Sequence, residues 1–240
     1  DCVLTVVRDI SERRQSDATQ AFLAHARGGP SDEPFFPALA RYLAAALDCF
    51  YVCIDRLDGD GLSATTVAIW CDGEFEDNVT YLLQDTPCGA VVGKDVCCFP
   101  AGVARSFPRD QVLQDLRAES YAGITLWGSA GHAIGLIAVI GRKPLSNPAL
   151  AETILRQVAP RTAGELERLR VAAAMGESEQ HYRTLANSSN ALIWTSGTDK
   201  GWNYFNEPWL RFTGRMLAQE LGDGWVEGVH PDDVQQCVQT

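Results

Sequence analysis

Two apolar runs rich in β-branched residues stand close together near the middle of the chain, at residues 123–127 and 134–140. A short connection that contains glycine, residues 128–132, joins them, and this arrangement is typical of a β-hairpin. The second run is apolar at almost every position, which predicts a strand covered on both faces. We therefore expect this hairpin to form the centre of a sheet.

The segment before this hairpin predicts a helix followed by another hairpin. Residues 35–47 place apolar side chains at three- and four-residue intervals, as in an amphipathic helix. Residues 50–57 and 65–71 are rich in β-branched and aromatic side chains and flank an Asp-Gly turn, which is typical of paired strands. The helix and the two hairpins together predict a mixed α/β sheet.

The segment between the two hairpins, residues 72–119, is long and irregular, and we call it the cassette. It is punctuated by Pro, Gly and Cys, as in residues 86–90 and 96–100. Residues 78–84 and 110–118 are predicted as short helices. Long irregular insertions in compact domains usually carry function, so we expect binding residues here.

A long helix is predicted after the central hairpin, over about residues 148–176. Pro160 removes one backbone donor, so we expect a kink there. Leu166 and Leu169 lie on one stripe, and we interpret them as signal-relay residues and as the contact of a homodimer. The alternative is that this stripe packs on the sheet of its own chain.

Composition limits the class of protein. The chain has 240 residues, of which 46% are hydrophobic, enough for the core of one domain and part of another. Its apolar runs are shorter than the roughly 18 residues of a membrane-spanning helix, and its start lacks the basic flank of a signal peptide. The net charge of −11 disfavours binding to nucleic acid. We expect no membrane contact by these residues.

The eight cysteines do not follow a metal-binding or disulfide pattern. No CxxC pair occurs, and no histidine stands at the spacing of a zinc ligand. Cys49, Cys53 and Cys71 lie inside apolar strands, where free cysteine behaves as a small buried hydrophobe. This usage indicates a reducing cytoplasm.

The first residues predict a strand that leads directly into a helix. Residues 2–8 form a β-type run, and Asp9 with Glu12 three residues later has the pattern of a capping box. The sequence VVRDISERRQ resembles the last strand and exit motif of a PAS domain. The resemblance implies that residues 1–26 are the tail of an upstream PAS domain plus a helical linker, with Asp9 and Glu12 in signal relay.

The order of elements in residues 30–175 resembles a GAF domain. The resemblance is carried by TPCGAVV followed by FP, then by SYAGITLW, and then by GHAIGLIAVIG before the long helix. Residues 178–240 resemble the N-terminal half of a PAS domain, through YFNEPWLRFTGR and GDGWVEGVHPDD. The implied fold class is α/β (α+β), with a GAF-like central antiparallel sheet flanked by helices and a long connector helix leading into a partial PAS fold.

Domains of these two families in this order are similar to those of bacterial multidomain sensor histidine kinases and diguanylate cyclases. The resemblance implies a regulatory sensory region of a two-component or related signal-transduction protein. Such a region senses an unknown small-molecule ligand or relays a signal through dimeric helices to an output domain in the same polypeptide. We expect no enzymatic activity within this chain and assign no catalytic residues.

The cofactor patterns of GAF domains are not found. The Asn-Lys…Phe…Asp-Glu signature of cyclic-nucleotide-binding members is missing. In bilin-binding relatives the attachment cysteine is commonly followed by histidine, whereas Cys98 is followed by Phe99 and Pro100. We interpret His132, beside the hairpin turn, as a solvated residue rather than a haem ligand. We therefore predict no cofactor and no metal.

Aromatic and thiol side chains are the candidate ligand-binding residues, because apolar pockets with a few polar groups hold small ligands. They are Trp70, Tyr81, Cys88, Cys98, Tyr121 and Trp127. The alternative for the aromatic residues is core packing. Two other functions stay open. One is a free methionine sulfoxide reductase that uses Cys88 and Cys98 as nucleophile and resolving thiol, and the other is a ligand-free dimerisation scaffold, which a fully packed cassette would favour.

Overall fold

The computed structural model describes residues 14–24, 33–198 and 201–239. Contacts divide the chain into two compact units, with the boundary between Leu169 and Arg170. Each unit buries apolar residues of its own. Among the described residues, no helix combines the length and the hydropathy that crossing a membrane requires.

An antiparallel sheet forms the centre of the first unit, in the order β3-β2-β1-β7-β6-β5, with β4 also paired to β2. The strands are β1 (Tyr51–Leu57), β2 (Ser63–Cys71), β3 (Glu74–Glu76), β4 (Thr80–Leu82), β5 (Val96–Phe99), β6 (Ser120–Trp127) and β7 (Ala133–Gly141). The predicted central hairpin is confirmed as β6 and β7, which pair along their lengths. β7 also pairs with β1, so its continuous apolar run is flanked by strands on both edges.

Helices cover one face of this sheet, which we call the helix face. They are α1 (residues 14–24), α2 (Phe35–Leu47) and the first part of α6 (Pro148–Ser188). Leu39 and Leu43 of α2 and Leu155 of α6 are fully buried there. They share one core with Ile54 and Ile137 of the sheet. The predicted amphipathic helix over residues 35–47 is thereby confirmed.

The cassette covers the opposite face, which we call the cassette face. Its helices are α3 (Pro87–Val91), α4 (Val103–Ser106) and α5 (Gln111–Asp115). The Asp110 side chain accepts a hydrogen bond from Leu113 N and caps α5, within the helix predicted for residues 110–118. Val91 and Leu113 share a core with Leu136 of the central strand.

The helix predicted for residues 78–84 is wrong, because this segment is an edge strand. Thr80–Leu82 pairs with the start of β2. Just before it, Thr66 N donates to Val79 O and Val79 N donates to Thr66 Oγ1. Pairing with β2 thus gives this segment backbone hydrogen bonds as a strand. A short helix without tertiary support would be only marginally stable.

α6 is longer than predicted and runs through Pro160 to Ser188. Leu166 is only 4% exposed and belongs to the core of the helix face. The Leu166 side chain packs directly on Gly135, because a Cβ added to Gly135 would lie only 2.7 Å from Leu166 Cδ1. Leu166 is therefore not available as a dimer contact, which corrects that interpretation. Leu169 is 48% exposed.

The second unit contains a small hairpin and short helices. Its elements are β8 (Trp194–Ser196), β9 (Trp202–Phe205), α7 (Glu207–Thr213), α8 (Leu217–Glu220), a 3₁₀ helix (Gly224–Gly228) and α9 (Val234–Gln239). The Trp202 ring is stacked between Trp194 and Trp225, with centroid distances of 3.7 and 4.1 Å. Asn206 is fully buried and donates to Ala186 O over 2.8 Å. These contacts give the unit its own interior.

Candidate functional site

A buried carboxylate lies in the middle of β1, on the cassette face. Asp55 is fully buried, whereas aspartate is rarely buried without a specific reason. The pairing of β1 with β2 shifts register between Ile54 and Asp55, where it skips Val67. Irregularities of this kind redirect side chains and often lie beside functional sites. Strand alternation places Asp55 on the same face as Cys53.

Two donors contact one oxygen of this carboxylate. The Cys53 thiol donates to Asp55 Oδ2 over 3.2 Å, and the Tyr81 hydroxyl donates to the same atom over 3.0 Å. The other oxygen, Oδ1, is buried without a hydrogen-bond partner among the described residues. Leaving a buried polar atom unpaired costs about 1 to 3 kcal/mol, so Asp55 is an unfavourable choice for packing alone.

Cys88 brings a second thiol to this carboxylate. It lies in α3, which is capped by the Thr86 side chain. The Tyr121 hydroxyl donates to Cys88 Sγ over 3.4 Å, and Cys88 packs with Cys53 in the core of the cassette face. We call this group the thiol–carboxylate cluster. Its members are Cys53, Asp55, Tyr81, Cys88 and Tyr121.

Burial changes the protonation of the cluster. It raises the pKa of Asp55 to about 7, even though hydrogen bonds from Cys53 and Tyr81 act in the opposite direction. The interaction with Cys88, followed by burial, raises the pKa of the Cys53 thiol well above its ordinary value. Burial also raises the pKa of Tyr121. The cluster therefore holds a carboxylate that exchanges a proton near neutral pH beside groups that keep theirs.

The structure brings together some of the predicted ligand residues. Those that belong to the thiol–carboxylate cluster are Tyr81, Cys88 and Tyr121. The tyrosine hydroxyls contact Asp55 and Cys88, so these residues are joined by polar contacts as well as by packing.

The other predicted ligand residues lie elsewhere. Trp70 and Cys98 pack against the core of the helix face. Trp127 stands at the end of β6, is 43% exposed, and lines a cavity of 270 Å³ together with Arg156 and Pro160.

Cys88 and Cys98 do not form a pair. Cys98 lies opposite Ala122 in the pairing of β5 with β6, and both pack on the helix face. Cys88 packs on the cassette face. Because the sheet lies between the two thiols, this arrangement does not support the reductase that uses them as nucleophile and resolving thiol.

Sequence reasoning missed two members of the cluster, Asp55 and Cys53. The available signal was the Cys-Ile-Asp sequence in the middle of an apolar strand, where residues two apart share a face. A carboxylate at an interior strand position is rare enough to mark a polar site.

A cavity of 380 Å³ opens at the end of the central strands, which is within the usual size range of small-ligand pockets. Tyr121, Cys49 and Phe50 line it. The Arg142 guanidinium lies 3.8 Å from the centre of the Phe50 ring and is hydrogen-bonded to Asp72 over 2.6 and 2.7 Å. Tyr121 thus connects this cavity with the thiol–carboxylate cluster.

The turn of the central hairpin is tied to α6. Glu167 Oε1 accepts hydrogen bonds from Ser129 N and Ser129 Oγ, both over 2.8 Å. These two bonds lower the pKa of Glu167, which keeps its carboxylate charged. The predicted relay residues Asp9 and Glu12, with the strand predicted for residues 2–8, lie outside the described residues.

The described part of the chain contains no group of three or more His, Cys, Asp or Glu side chains placed to hold a metal ion. His132 is exposed in the turn between β6 and β7, the position expected of a solvated residue. The chemistry that these residues offer is that of thiols, hydroxyls and a carboxylate.

No protein-family profile matches the chain. A segment of 67 residues is 36% identical to the uncharacterized protein y4lL of Sinorhizobium fredii, covering 28% of this chain and 8% of that protein. A segment of 70 residues is 30% identical to the peroxide stress-activated histidine kinase mak1 of Schizosaccharomyces pombe, covering 29% of this chain and 4% of that protein. The matches thus span small parts of much longer relatives.

Solved structures show the fold. The chain is similar to the GAF domain of a Coxiella burnetii phosphoenolpyruvate-protein phosphotransferase, with a TM-score of 0.57 and 12% identity over 68% of this chain and 98% of that one. The GAF domain of the Acinetobacter phosphotransferase gives 0.54 and 15%, over 67% and 98% of the two chains. The chromophore-binding domain of a Stigmatella aurantiaca bacteriophytochrome gives 0.51 and 14%, over 64% and 60%. The predicted GAF fold is confirmed, and the partial PAS fold stays a prediction.

Proposed function

We propose that this chain is the regulatory region of a signalling protein, in which a GAF domain relays a signal from its cassette face to helix α6. The observation that carries the proposal is the pair of hydrogen bonds from Ser129 to Glu167, which joins the central hairpin to α6. α6 contributes Leu155 to the core of the first unit and continues to Ser188. A displacement of the hairpin turn therefore acts directly on this helix.

The wider context of the region is part of the same proposal. We assign the upstream tail and residues 178–240 to PAS domains, and the output domain to a histidine kinase or diguanylate cyclase of a bacterial, cytoplasmic protein. The match to a histidine kinase supports this assignment over a short segment. The GAF fold, which this chain shares with domains of phosphotransferases and a bacteriophytochrome, supports a regulatory function.

The relay is tested with Glu167→Gln, which keeps the shape of the side chain but removes its charge. We expect faster amide hydrogen exchange in the β6–β7 turn and in α6 beyond residue 167, because hydrogen bonds to a charged acceptor are stronger than those to a neutral one. Glu177→Gln, at an exposed position on the same helix, is the matched control. Unchanged exchange in α6 of Glu167→Gln would refute the relay.

A homodimer through α6 is the second part of the proposal. Beyond Leu166 the helix exposes apolar side chains at helical spacing, and such a stripe is typical of a helix that packs on a partner. They are Val171, Met175, Tyr182 and Leu185, whereas Leu169, which is also exposed, lies on another side of the helix. Met175→Glu should shift the protein towards monomer in sedimentation without changing its melting temperature. Leu62→Glu, which changes an equally exposed apolar residue in the β1–β2 turn, should leave the mass unchanged.

A ligand-free dimerisation scaffold is the second candidate function. It is favoured by the packing of the cassette face, where Tyr81 and Tyr121 occupy the space between the sheet and the cassette. Native mass spectrometry of the purified protein separates the two functions, because a bound small molecule supports the sensor. In either case we expect the chain to show no ATP turnover and no cyclic dinucleotide synthesis.

A further inference from the structure

The geometry points to Cys53 and Cys88 as a redox modification site that hydrogen peroxide converts into a disulfide between the sheet and the cassette. The inference deepens the proposed regulatory function, on which it rests for its biological purpose. It concerns a different thiol pair from the one that the sequence suggests, because it joins β1 to α3 on one face of the sheet.

The two thiols are already neighbours in the folded protein. Cys53 and Cys88 belong to one buried cluster on the cassette face, and the influence of Cys88 is the first cause of the raised pKa of the Cys53 thiol. Disulfide formation requires two cysteines whose side chains approach each other closely, and the packing of the cassette face brings these two thiols to one buried site. The described cysteines are all free thiols, so the bond would be a change of state.

The neighbouring polar groups have the positions that the chemistry needs. Tyr121 donates a hydrogen bond to Cys88 Sγ, which stabilises negative charge on that sulfur. Cys53 donates to Asp55 Oδ2, so a proton acceptor stands beside the second thiol. The unpartnered Oδ1 of Asp55 gives this buried carboxylate capacity for a proton without breaking an existing contact.

The reaction uses one molecule of hydrogen peroxide. The Cys88 sulfur attacks one peroxide oxygen, the O–O bond breaks, and the departing hydroxide takes the thiol proton and leaves as water. Cys53 then transfers its proton to Asp55, and its sulfur attacks the sulfenic sulfur of Cys88. The S–O bond breaks, and the departing hydroxide takes the proton from Asp55 as a second water. The two sulfurs together lose two electrons, and the peroxide is reduced.

Access to the thiols runs past Leu83. Leu83 packs in the same cluster as Cys53 and Cys88, and it also lines a cavity of 580 Å³ beside α3. Peroxide therefore reaches the pair when this side chain moves, and the need for this movement makes the reaction slow. A smaller residue at this position should make the oxidation faster.

The test uses the full chain with Cys49→Ala and Cys71→Ala as the parent. Trypsin cleaves after Arg41, Arg56 and Lys94, so in this parent the two peptides between these sites each contain a single cysteine of the pair. After treatment with hydrogen peroxide, we expect a linked peptide that joins residues 42–56 to residues 57–94. The intact mass should fall by two hydrogens.

Three variants of this parent sharpen the result. Cys88→Ala should abolish the linked peptide, and Cys98→Ala, on the other face of the sheet, should leave it unchanged. Leu83→Val should increase the rate of its formation several-fold. If Cys53 and Cys88 both remain thiols in the parent and in Leu83→Val while the exposed Cys237 is oxidised, the inference is wrong. Oxidation of Cys88 to a sulfinic acid without formation of the linked peptide would also contradict the inference.

The failure of this inference is separable from that of the relay. Mass spectrometry reads the bond itself, whereas hydrogen exchange in α6 reads its consequence. A bond that forms without changing exchange in α6 confirms the site and contradicts a relay from it. If no bond forms, the effect of Glu167→Gln on α6 still decides the relay independently.

Discussion

The two faces of the central sheet are both buried, but they bury different chemistry. On the helix face, aliphatic side chains such as Leu43, Ile54 and Leu155 are fully buried between the sheet and long helices. On the cassette face, Leu136 is equally buried, yet the Asp55 carboxylate is buried beside the same core, with the Cys53 thiol and the Tyr81 hydroxyl as its hydrogen-bond partners. One face resembles an ordinary core, whereas the other contains a polar site.

A single strand supplies both faces. Val52 and Ile54 of β1 belong to the helix face, and Cys53 and Asp55 belong to the cassette face. Since strand side chains alternate with a period of two, residues adjacent in sequence have separate environments. The chemistry of the cassette face can therefore vary while the contacts of β1 with α2 and α6 are kept.

The largest expected loss of stability comes from shortening two neighbouring residues of the central strand β7. Leu136→Ala and Ile137→Ala remove buried side chains from the cassette face and the helix face, and each should lower the free energy of unfolding by about 2 to 5 kcal/mol. We expect the larger loss for Ile137→Ala, because two long helices cannot collapse into the cavity as short cassette helices can. Urea denaturation measures both. An equal or larger loss for Leu136→Ala would mean that the cassette is as rigid as the helices.

The division into two faces could be predicted in large part from the sequence. The apolar runs at β6 and β7 and the amphipathic pattern of α2 indicate the sheet and one covering helix without further information. The cassette was less predictable, because its strand β4 depends on pairing with residues of β2 that are distant in sequence. Local patterns contain no information about such partners.

The candidate site was predictable only in part, for a related reason. Aromatic and thiol residues stand out in the sequence, as Tyr81, Cys88 and Tyr121 do. Their neighbour Asp55 does not, because it is a single polar residue in an otherwise apolar predicted strand. The position of Cys98 on the opposite face depends on the register of β5 against β6. Register is a property of the paired strands, so the spacing of cysteines along the chain cannot show it.

The next expected effect is that the stability of the protein depends on pH, because of a residue on the cassette face. Burial raises the pKa of Asp55 from 3.8 to about 7, so the folded protein binds one more proton than the unfolded chain between these values. The stabilising contribution is complete below the lower value and is lost as pH rises through about 7. We expect this loss to be on the order of 4 kcal/mol.

Asp55→Asn should remove this part of the pH dependence. Cys53 and Tyr81, which face the carboxyl, keep their protons in the range because their pKa values are raised. Thermal unfolding of both proteins from pH 4 to pH 8 gives the difference between the two curves. Parallel curves would show that Asp55 does not titrate in this range and would remove the chemical contrast between the faces.

Smaller losses of stability are expected when a glycine is replaced by alanine, at one position on each face of the sheet. In Gly135→Ala the new Cβ would lie 2.3 Å from Asp55 O and 2.7 Å from Leu166 Cδ1, and the backbone atom cannot move aside. This change should cost about 1 to 3 kcal/mol of stability.

In Gly123→Ala the Cβ would meet the Tyr121 hydroxyl at 2.5 Å, which a rotation of the Tyr121 side chain relieves. We expect a lower stability cost but faster alkylation of Cys88, because Tyr121 then leaves its sulfur. A loss as large as that of Gly135→Ala would show that Tyr121 is fixed by its surroundings.

The smallest effect is expected at the edge of the sheet, where the contrast between the faces should disappear. Cys97 and Cys98 are adjacent on β5, and they pack on the cassette face and the helix face respectively. Both are only partly buried, so replacing either with alanine should cost less than about 1 kcal/mol. The two losses should also agree closely, because at an edge strand solvent rather than the covering layer surrounds much of each side chain. Urea denaturation of Cys97→Ala and Cys98→Ala checks this. A clearly larger loss for Cys98→Ala would show that the rigid packing of the helix face extends to the edge, and that the difference between the faces does not depend on depth.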